Sequence, residues 1–216
     1  MENVVEMISD IHNYSINVHS REIYLHSQMT HNDGEDPGVD YRMASTLIKN
    51  VSILDSLSNK SIVIHMLSIG GEVNSGMAIY DCISAARSHV TIISYAQAES
   101  MSGIILQAAD SRVLSPNCYF MAHFGSTEYS GNYLDAQASA KMEKSMCNTM
   151  LDIYSEGLIN SEFFKTSYPK NSTPEKARSY LLRKLKGGDW YLNPSDAIYY
   201  GFADNILGGS ECQIKN

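Results

Sequence analysis

Apolar residues recur along the chain with two periods, one typical of strands and one typical of helices. Short runs rich in β-branched and apolar residues predict buried strands. The predicted strands are residues 16–27, 61–67, 90–93 and 118–123, with a further short strand near Val113. The third strand is followed by residues 96–99, which are predicted to turn the chain.

Between these strands, apolar residues spaced three or four apart predict helices. The predicted helices are residues 40–57, residues 74–86, a short apolar helix from Ser100, a long helix at residues 132–158, one from Pro174 and one after Asn193. The last of these has proline in its first turn and Gly201 at its end. Alternation of strands and helices predicts an α/β fold with mostly parallel strands and helices packed on the sheet.

The amino-acid composition limits the classes of protein to which the chain can belong. The 216 residues carry 24 acidic and 16 basic side chains, a net charge of −8, which makes nucleic acid an unlikely partner. The four cysteines have neither metal-ligand nor disulfide spacing, as in cytoplasmic proteins with reduced thiols. We find no signal-peptide pattern and no apolar stretch of the ~20 residues that span a membrane. These features predict a soluble, cytoplasmic domain without membrane contact.

Ser100 lies where a predicted strand turns into a helix. Such a turn holds a hydroxyl clear of the sheet, beside backbone N–H groups that lack partners at the helix start. These properties suit a nucleophile that develops an oxyanion. They equally suit a serine that only caps the helix, and this stretch alone does not distinguish the two interpretations.

Three further features lie at predicted strand ends or in loops beside them. Gly70-Gly71 follows a strand, His123 closes another, and Asp189 precedes an aromatic pair. Taken singly, the glycine pair suits a turn, His123 suits a part-buried structural histidine, and Asp189 suits a solvated carboxylate. Together with Ser100 they supply a nucleophile, a base, an orienting carboxylate and backbone donors. Metal-dependent hydrolysis is less favoured, because the histidines show no ligand spacing such as HExxH.

From about Asp10 to Leu207 the chain resembles the ClpP family, the self-compartmentalising serine peptidases of Clp proteases. The resemblance rests on Gly70-Gly71 with the following GMAIYD, on QAESM around Ser100, on MAH ending at His123, and on Asp189 with the later Ala197, Tyr200-Gly201 and Asp204. It implies a ClpP/crotonase-like fold of repeated β-β-α (strand–turn–helix) units with a long protruding handle helix. It also implies a serine endopeptidase that needs no cofactor and no metal.

The same resemblance assigns residue roles. Ser100 would be the nucleophile, His123 the general base and acid, and Asp189 the third triad member. The N–H groups of Gly71 and Met101 would form the oxyanion hole. The residues expected to bind substrate are Gly70, Gly125 and Ser126. If Ser100 is not the nucleophile, Ser102 is the neighbour to test next.

The resemblance further implies one peptidase domain over residues 1–216. Its parts are an N-terminal segment at 1–15, a head at 16–123 and 187–207, a handle strand and helix at 124–160, and a tail at 208–216. Subunits would form a heptameric ring, stacked as a tetradecamer, that cleaves peptides or unfolded proteins. An AAA+ unfoldase is an implied partner, although the segment before Asp10 looks short beside the family's axial loops.

Besides the short segment before Asp10, two residues depart from the family pattern: Ile69 stands where the family has proline, and Glu99 replaces a small residue before the nucleophile. Residues 29–39, predicted to be a surface loop, are also unusual for the family. We expect the Glu99 carboxylate to raise the pKa of the histidine or to repel acidic substrates. Two other functions stay open: a catalytically weak or structural ClpP-like ring subunit, and a crotonase-superfamily enzyme acting on acyl-CoA.

Overall fold

The computed structural model describes residues 4–26, 38–126, 128–170, 172–210 and 212. Within these residues the strands are β1 (Ile16–Asn17), β2 (Glu22–His26), β3 (Ile62–Ser68), β4 (Val90–Glu99), β5 (Ser111–Leu114), β6 (Tyr119–Ala122), β7 (Trp190–Leu192) and β8 (Asn205–Ile206). The helices are α1 (Val4–Tyr14), α2 (Tyr41–Leu57), α3 (Val73–Ser84), α4 (Met101–Leu106), α5 (Tyr133–Asn160), α6 (Glu162–Ser167), α7 (Pro174–Leu185) and α8 (Pro194–Tyr199).

The strands form one mixed sheet in the order β1-β2-β3-β4-β5-β8. From β2 to β8 all neighbours are parallel, whereas β1 runs antiparallel to β2. The remaining strands lie off this path: β6 pairs in parallel with β4, and β7 pairs antiparallel with β6. The prediction of a mostly parallel α/β fold is confirmed.

Strand β4 pairs with β3 along one edge, bends in its middle, and pairs with two strands in succession along its other edge. Residues 91–94 pair with residues 111–114 of β5, and residues 97–99 pair with residues 119–121 of β6. Ala96 lies at the bend with φ of 57°, and its N–H donates to Ser115 Oγ. The prediction that residues 96–99 turn the chain is therefore wrong. Because β6 offers a second partner, these residues continue the strand and carry it to Ser100.

An aromatic cluster fixes the base of α5 behind β4 and β6. Phe120 of β6 stacks on Phe202 with ring centroids 5.0 Å apart, and Tyr154 of α5 meets both rings edge-on. All three side chains are fully buried. Aromatic pairs in such offset or edge arrangements bury large areas and tolerate little displacement. This packing anchors the second half of α5 against the sheet.

The first half of α5 projects from this core. Asn132 and Asp135 form a reciprocal capping box at its start, which explains why the helix begins there. Its buried residues all lie at or after Met150, whereas Tyr133 and Leu134 are 72% and 70% exposed. The predicted helix at 132–158 is confirmed. The handle strand predicted just before it is not found: residues 124–126 and 128–131 have no strand partner in the described chain.

Several other boundaries differ from prediction. The run at 16–27 is two strands, because the chain turns between them and Arg21 adopts a φ of 58°. The Arg21 guanidinium is buried and donates to backbone carbonyls, including that of Leu54 near the end of α2. Helix α6 was not predicted, whereas α7 begins at Pro174 as expected, with Thr173 as its cap. The predicted loop at 29–39 lies almost wholly outside the described residues.

Candidate active site

Ser100 joins β4 to α4 in a conformation that L-residues rarely adopt. Its φ and ψ are 54° and −122°. Such a backbone costs on the order of 1–3 kcal/mol and persists only where its surroundings hold it. Here the Ser100 N–H donates to Met121 O, and the Ser100 carbonyl accepts from the N–H groups of Gly103 and Ile104. The hydroxyl makes no capping hydrogen bond, so the interpretation of Ser100 as a mere helix cap is wrong.

The second predicted residue, His123, meets this hydroxyl. His123 Nε2 lies 2.8 Å from Ser100 Oγ. His123 directly follows β6, which pairs in parallel with the end of β4, so both side chains emerge at the same edge of the sheet. The contact is a good hydrogen bond and has the geometry that lets an imidazole accept a serine proton.

Asp189 approaches the other ring nitrogen of His123. Its Oδ1 lies 3.4 Å from Nδ1, a longer contact than the one to Ser100. The antiparallel pairing of Ala122 with Trp190 sets the residues beside them, His123 and Asp189, next to one another. The Asp189 side chain is 52% exposed, so water also reaches this carboxylate. The structure thus brings together three side chains that are far apart in sequence.

The backbone N–H groups of Gly71 and Met101 are the donors predicted for the oxyanion hole. Gly71 is bracketed by two hydrogen bonds, from Val39 N to Gly70 O and from Glu72 N to Val39 O, while its own N–H has no acceptor within the described chain. The Met101 N–H opens α4, where the first turn leaves donors without intrahelical partners. Gly71, Met101 and Ser100 line one cleft. The two residues therefore lie beside Ser100 at one cleft.

Gly70 has a different place from the one predicted. It does not line the cleft, but lies behind Ser100 with φ of +96°. A Cβ on Gly70 would lie 2.7 Å from Ser100 Cβ, 2.8 Å from Glu99 O and 2.9 Å from Met101 N. Only glycine lets the two chain segments approach this closely. Gly70 therefore contributes to the position of Ser100.

The cleft itself has a volume of about 530 Å³ and two walls. One wall holds Ser100 and His123, and it continues into Gly125 and Ser126, the two residues that were predicted to bind substrate. The other wall is a face of α5, which the sequence did not assign to the site. That face includes Met142, Glu143, Met146, Cys147 and Met150. Its only sequence signal was the four-residue spacing of the methionines.

Two residues close to Ser100 in sequence, Glu99 and Ser102, have different surroundings. Burial raises the pKa of Glu99, and Asp189 adds to that rise, while Gln97 and His123 act in the opposite direction. Glu99 therefore interacts with both His123 and Asp189 through its charge. Ser102 Oγ is fully buried and has no hydrogen-bond partner among the described residues. Ser102 is thus no alternative nucleophile.

No group of three or more potential metal ligands occurs in the residues that the structure covers. Over the same residues, no helix is both long and apolar enough to cross a bilayer. The side chains that line the cleft include a hydroxyl, an imidazole, carboxylates and the thiol of Cys147.

Comparison with known proteins shows the family to which the chain belongs. The family model described as Clp protease matches residues 35–210. An ATP-dependent Clp protease proteolytic subunit of Deinococcus radiodurans is 30% identical over 172 residues, which are 78% of this chain and 76% of that protein. One from Carsonella ruddii is 28% identical over 90% of this chain and 87% of its own length. A proteolytic subunit 2 from Pseudomonas aeruginosa is 28% identical over 79% of this chain and 77% of its own length. The chain belongs to the Clp protease family.

Proposed function

We propose that the chain is a serine endopeptidase in which Ser100 is the nucleophile, His123 the general base and acid, and Asp189 the third triad member. Membership of the Clp protease family supports peptide-bond hydrolysis as the reaction. The observation that carries the residue assignment is the 2.8 Å contact between His123 Nε2 and Ser100 Oγ. A serine hydroxyl is a weak nucleophile until a positioned base accepts its proton, and this contact supplies the base.

The reaction proceeds through an acyl-enzyme. Ser100 Oγ attacks the peptide carbonyl carbon while His123 Nε2 accepts the hydroxyl proton. The N–H groups of Gly71 and Met101 stabilise the charge that develops on the carbonyl oxygen. The imidazolium then gives its proton to the departing amine, so the C–N bond breaks and the acyl group stays on Ser100 as an ester. Water, deprotonated by the same imidazole, hydrolyses this ester and restores the hydroxyl.

Asp189 holds the imidazole from the Nδ1 side and stabilises its charged form. Gly125 and Ser126, which line the cleft, are proposed to contact an extended peptide through their backbone. Main-chain hydrogen bonds distinguish few substrate side chains, so we expect broad specificity for the substrate residues outside the cleft. Gly70 acts on this reaction through the position of Ser100, because it packs behind that residue.

The chain is further proposed to work as a heptameric ring, stacked as a tetradecamer, in the cytoplasm. The projecting half of α5 supports assembly, because a helix with so little packing is marginal in water until another surface covers it. The relatives are named ATP-dependent, which supports an AAA+ unfoldase as a partner. An acyl-CoA enzyme of the crotonase type would share the backbone donors. It has no need of the serine–imidazole–carboxylate arrangement, so that function is not favoured.

The test is hydrolysis of a fluorogenic peptide by the purified assembly. We expect Ser100→Ala to lose at least about a thousandfold in kcat, because only binding and the oxyanion hole remain. Ser102→Ala is the matched control, since its hydroxyl is buried away from the cleft and its loss should leave the rate within a few-fold of wild type. Turnover by Ser100→Ala at a comparable rate, with the ring intact by gel filtration, would disprove the assignment.

A further inference from the structure

Val39 binds the backbone around Gly71 just before α2 begins. Its N–H donates to Gly70 O at 2.7 Å, and the Glu72 N–H donates to Val39 O at 2.7 Å. The two bonds form a parallel bridge between Val39 and Gly71 that lies outside the named strands. Val39 thus holds the chain on both sides of Gly71, and neither bond uses the N–H of Gly71 itself.

The bond from Val39 to Gly70 O fixes the direction of the Gly71 N–H. The Gly70 carbonyl and the Gly71 N–H belong to one planar peptide group, and in a trans peptide these two bonds point in opposite directions. Because Val39 holds the carbonyl on its own side, the Gly71 N–H is directed away from Val39. Gly71 lines the cleft together with Ser100, whereas Val39 does not line it.

The peptide group between Gly70 and Gly71 needs such a restraint, because it has a glycine on each side. Gly70 and Gly71 have φ of +96° and +150°. Glycine has no Cβ and accepts conformations that other residues avoid, so the two residues themselves oppose rotation of this peptide group only weakly. Rotation by half a turn would exchange the places of the carbonyl and the N–H. A carbonyl oxygen in place of the donor would repel an oxyanion instead of stabilising it.

Val39 itself is held in place by its surroundings. Its side chain is 1% exposed and belongs to the main hydrophobic core. The next residue, Asp40, caps α2 with its side chain. The preceding residue, Gly38, approaches Gly70 so closely that a Cβ on Gly38 would lie 2.1 Å from Gly70 O. The core and α2 therefore restrain the Gly70–Gly71 peptide group through the backbone of Val39.

We propose that Val39 is a positioning residue for the oxyanion hole, and that its backbone N–H locks the Gly70–Gly71 peptide group in the orientation that presents the Gly71 N–H to the oxyanion. This inference rests on the proposed peptidase function and adds to that reaction a residue outside the cleft. The oxyanion forms only as the reaction proceeds. Loss of the lock therefore lowers kcat and leaves KM nearly unchanged.

The test deletes the N–H of Val39 alone. In an assembly that carries the α-hydroxy analogue of valine at position 39, an ester replaces the amide, so the donor is lost and the side chain stays. We expect kcat for a fluorogenic peptide to fall about ten- to hundredfold, with KM within about threefold of wild type, because outright removal of an oxyanion donor costs roughly 10²–10³ in kcat. The matched control is the same exchange at Met43, whose N–H donates to Asp40 at 2.8 Å and not to the Gly70–Gly71 segment. The control should keep kcat.

Gly38→Ala is a second variant, because its Cβ would press on the same Gly70 carbonyl. We expect it to lower kcat with little change in KM. Its control, Gly208→Ala, also places alanine at a positive φ but meets no atom within 4 Å, so it should keep kcat. If the ester variant does not assemble, Gly38→Ala decides by the same criterion.

Hydrolysis by wild type together with an unchanged kcat in the ester variant would overturn the inference, while the peptidase proposal would stand. If wild type itself shows no turnover, a crystal structure of the ester variant decides. A Gly70 carbonyl that has rotated away from residue 39 would support the lock, and a carbonyl that still points to residue 39 would overturn it.

Discussion

Gly70 offers a sharp test of how the nucleophile is positioned, because it touches Ser100 without lining the cleft. Replacing it by alanine adds one methyl group that would lie 2.7 Å from Ser100 Cβ and under 3 Å from two backbone atoms. Ordinary carbon contacts begin near about 3.5 Å, so Ser100 must move by up to about 0.8 Å. A misplacement approaching 1 Å costs roughly a hundredfold in rate. We therefore expect kcat/KM of Gly70→Ala to fall about a hundredfold.

The assay must separate this displacement from ordinary backbone strain. Alanine at a φ of +96° also costs about 1–2 kcal/mol of stability. Gly208→Ala is the control: Gly208 has φ of +79°, and a Cβ there would meet no atom within 4 Å. We expect Gly208→Ala to lose similar stability by thermal melting and to keep kcat/KM within about threefold of wild type. A folded Gly70→Ala variant with near-wild-type kcat/KM would refute the reasoning.

Two further predictions concern stability. Hydrogen bonds from Ser88 and Arg87 lower the pKa of Asp55 to about 2 from 3.8, so Asp55→Asn should cost about 2 kcal/mol at pH 7. Because the folded pKa is the lower one, this stability is present above pH 4 and is lost as the pH falls from 3.8 towards 2. The melting temperatures of wild type and Asp55→Asn should therefore converge as the pH falls. A difference that stays constant with pH would contradict this prediction. Tyr154 Oη is buried without a partner in the described chain, so Tyr154→Phe should raise the unfolding free energy by up to about 1 kcal/mol in urea titrations. A loss of stability would argue for an unseen partner.

Most of the sheet could be predicted from the sequence, because β-branched runs such as that of residues 90–93 favour buried strands regardless of their partners. The bend of β4 could not be predicted from the sequence. An alanine at positive φ leaves no local signal, and the pairing with β6 depends on tertiary contacts. Helix α6 was missed for a similar reason, since its six residues are too few for a helical period to be clear.

The candidate site also contains some residues that could be predicted from the sequence and others that could not. Ser100 and His123 could be named as candidates because each stands at a strand end, where parallel strands bring distant residues to one edge of a sheet, whereas their roles were implied only by the family resemblance. The α5 wall could not be predicted, because its place opposite Ser100 depends on how the aromatic cluster around Tyr154 orients the helix. Gly70 was assigned to substrate binding, and only its contact with Ser100 revealed its structural contribution.

His123 is proposed to activate Ser100, and covalent trapping of the nucleophile measures that activation. The purified assembly is incubated with a fluorophosphonate, digested and mapped by mass spectrometry. We expect one adduct, on Ser100, that is lost in Ser100→Ala and forms far more slowly in His123→Ala. An adduct on another residue, or equally fast labelling of Ser100 without the imidazole, would contradict it.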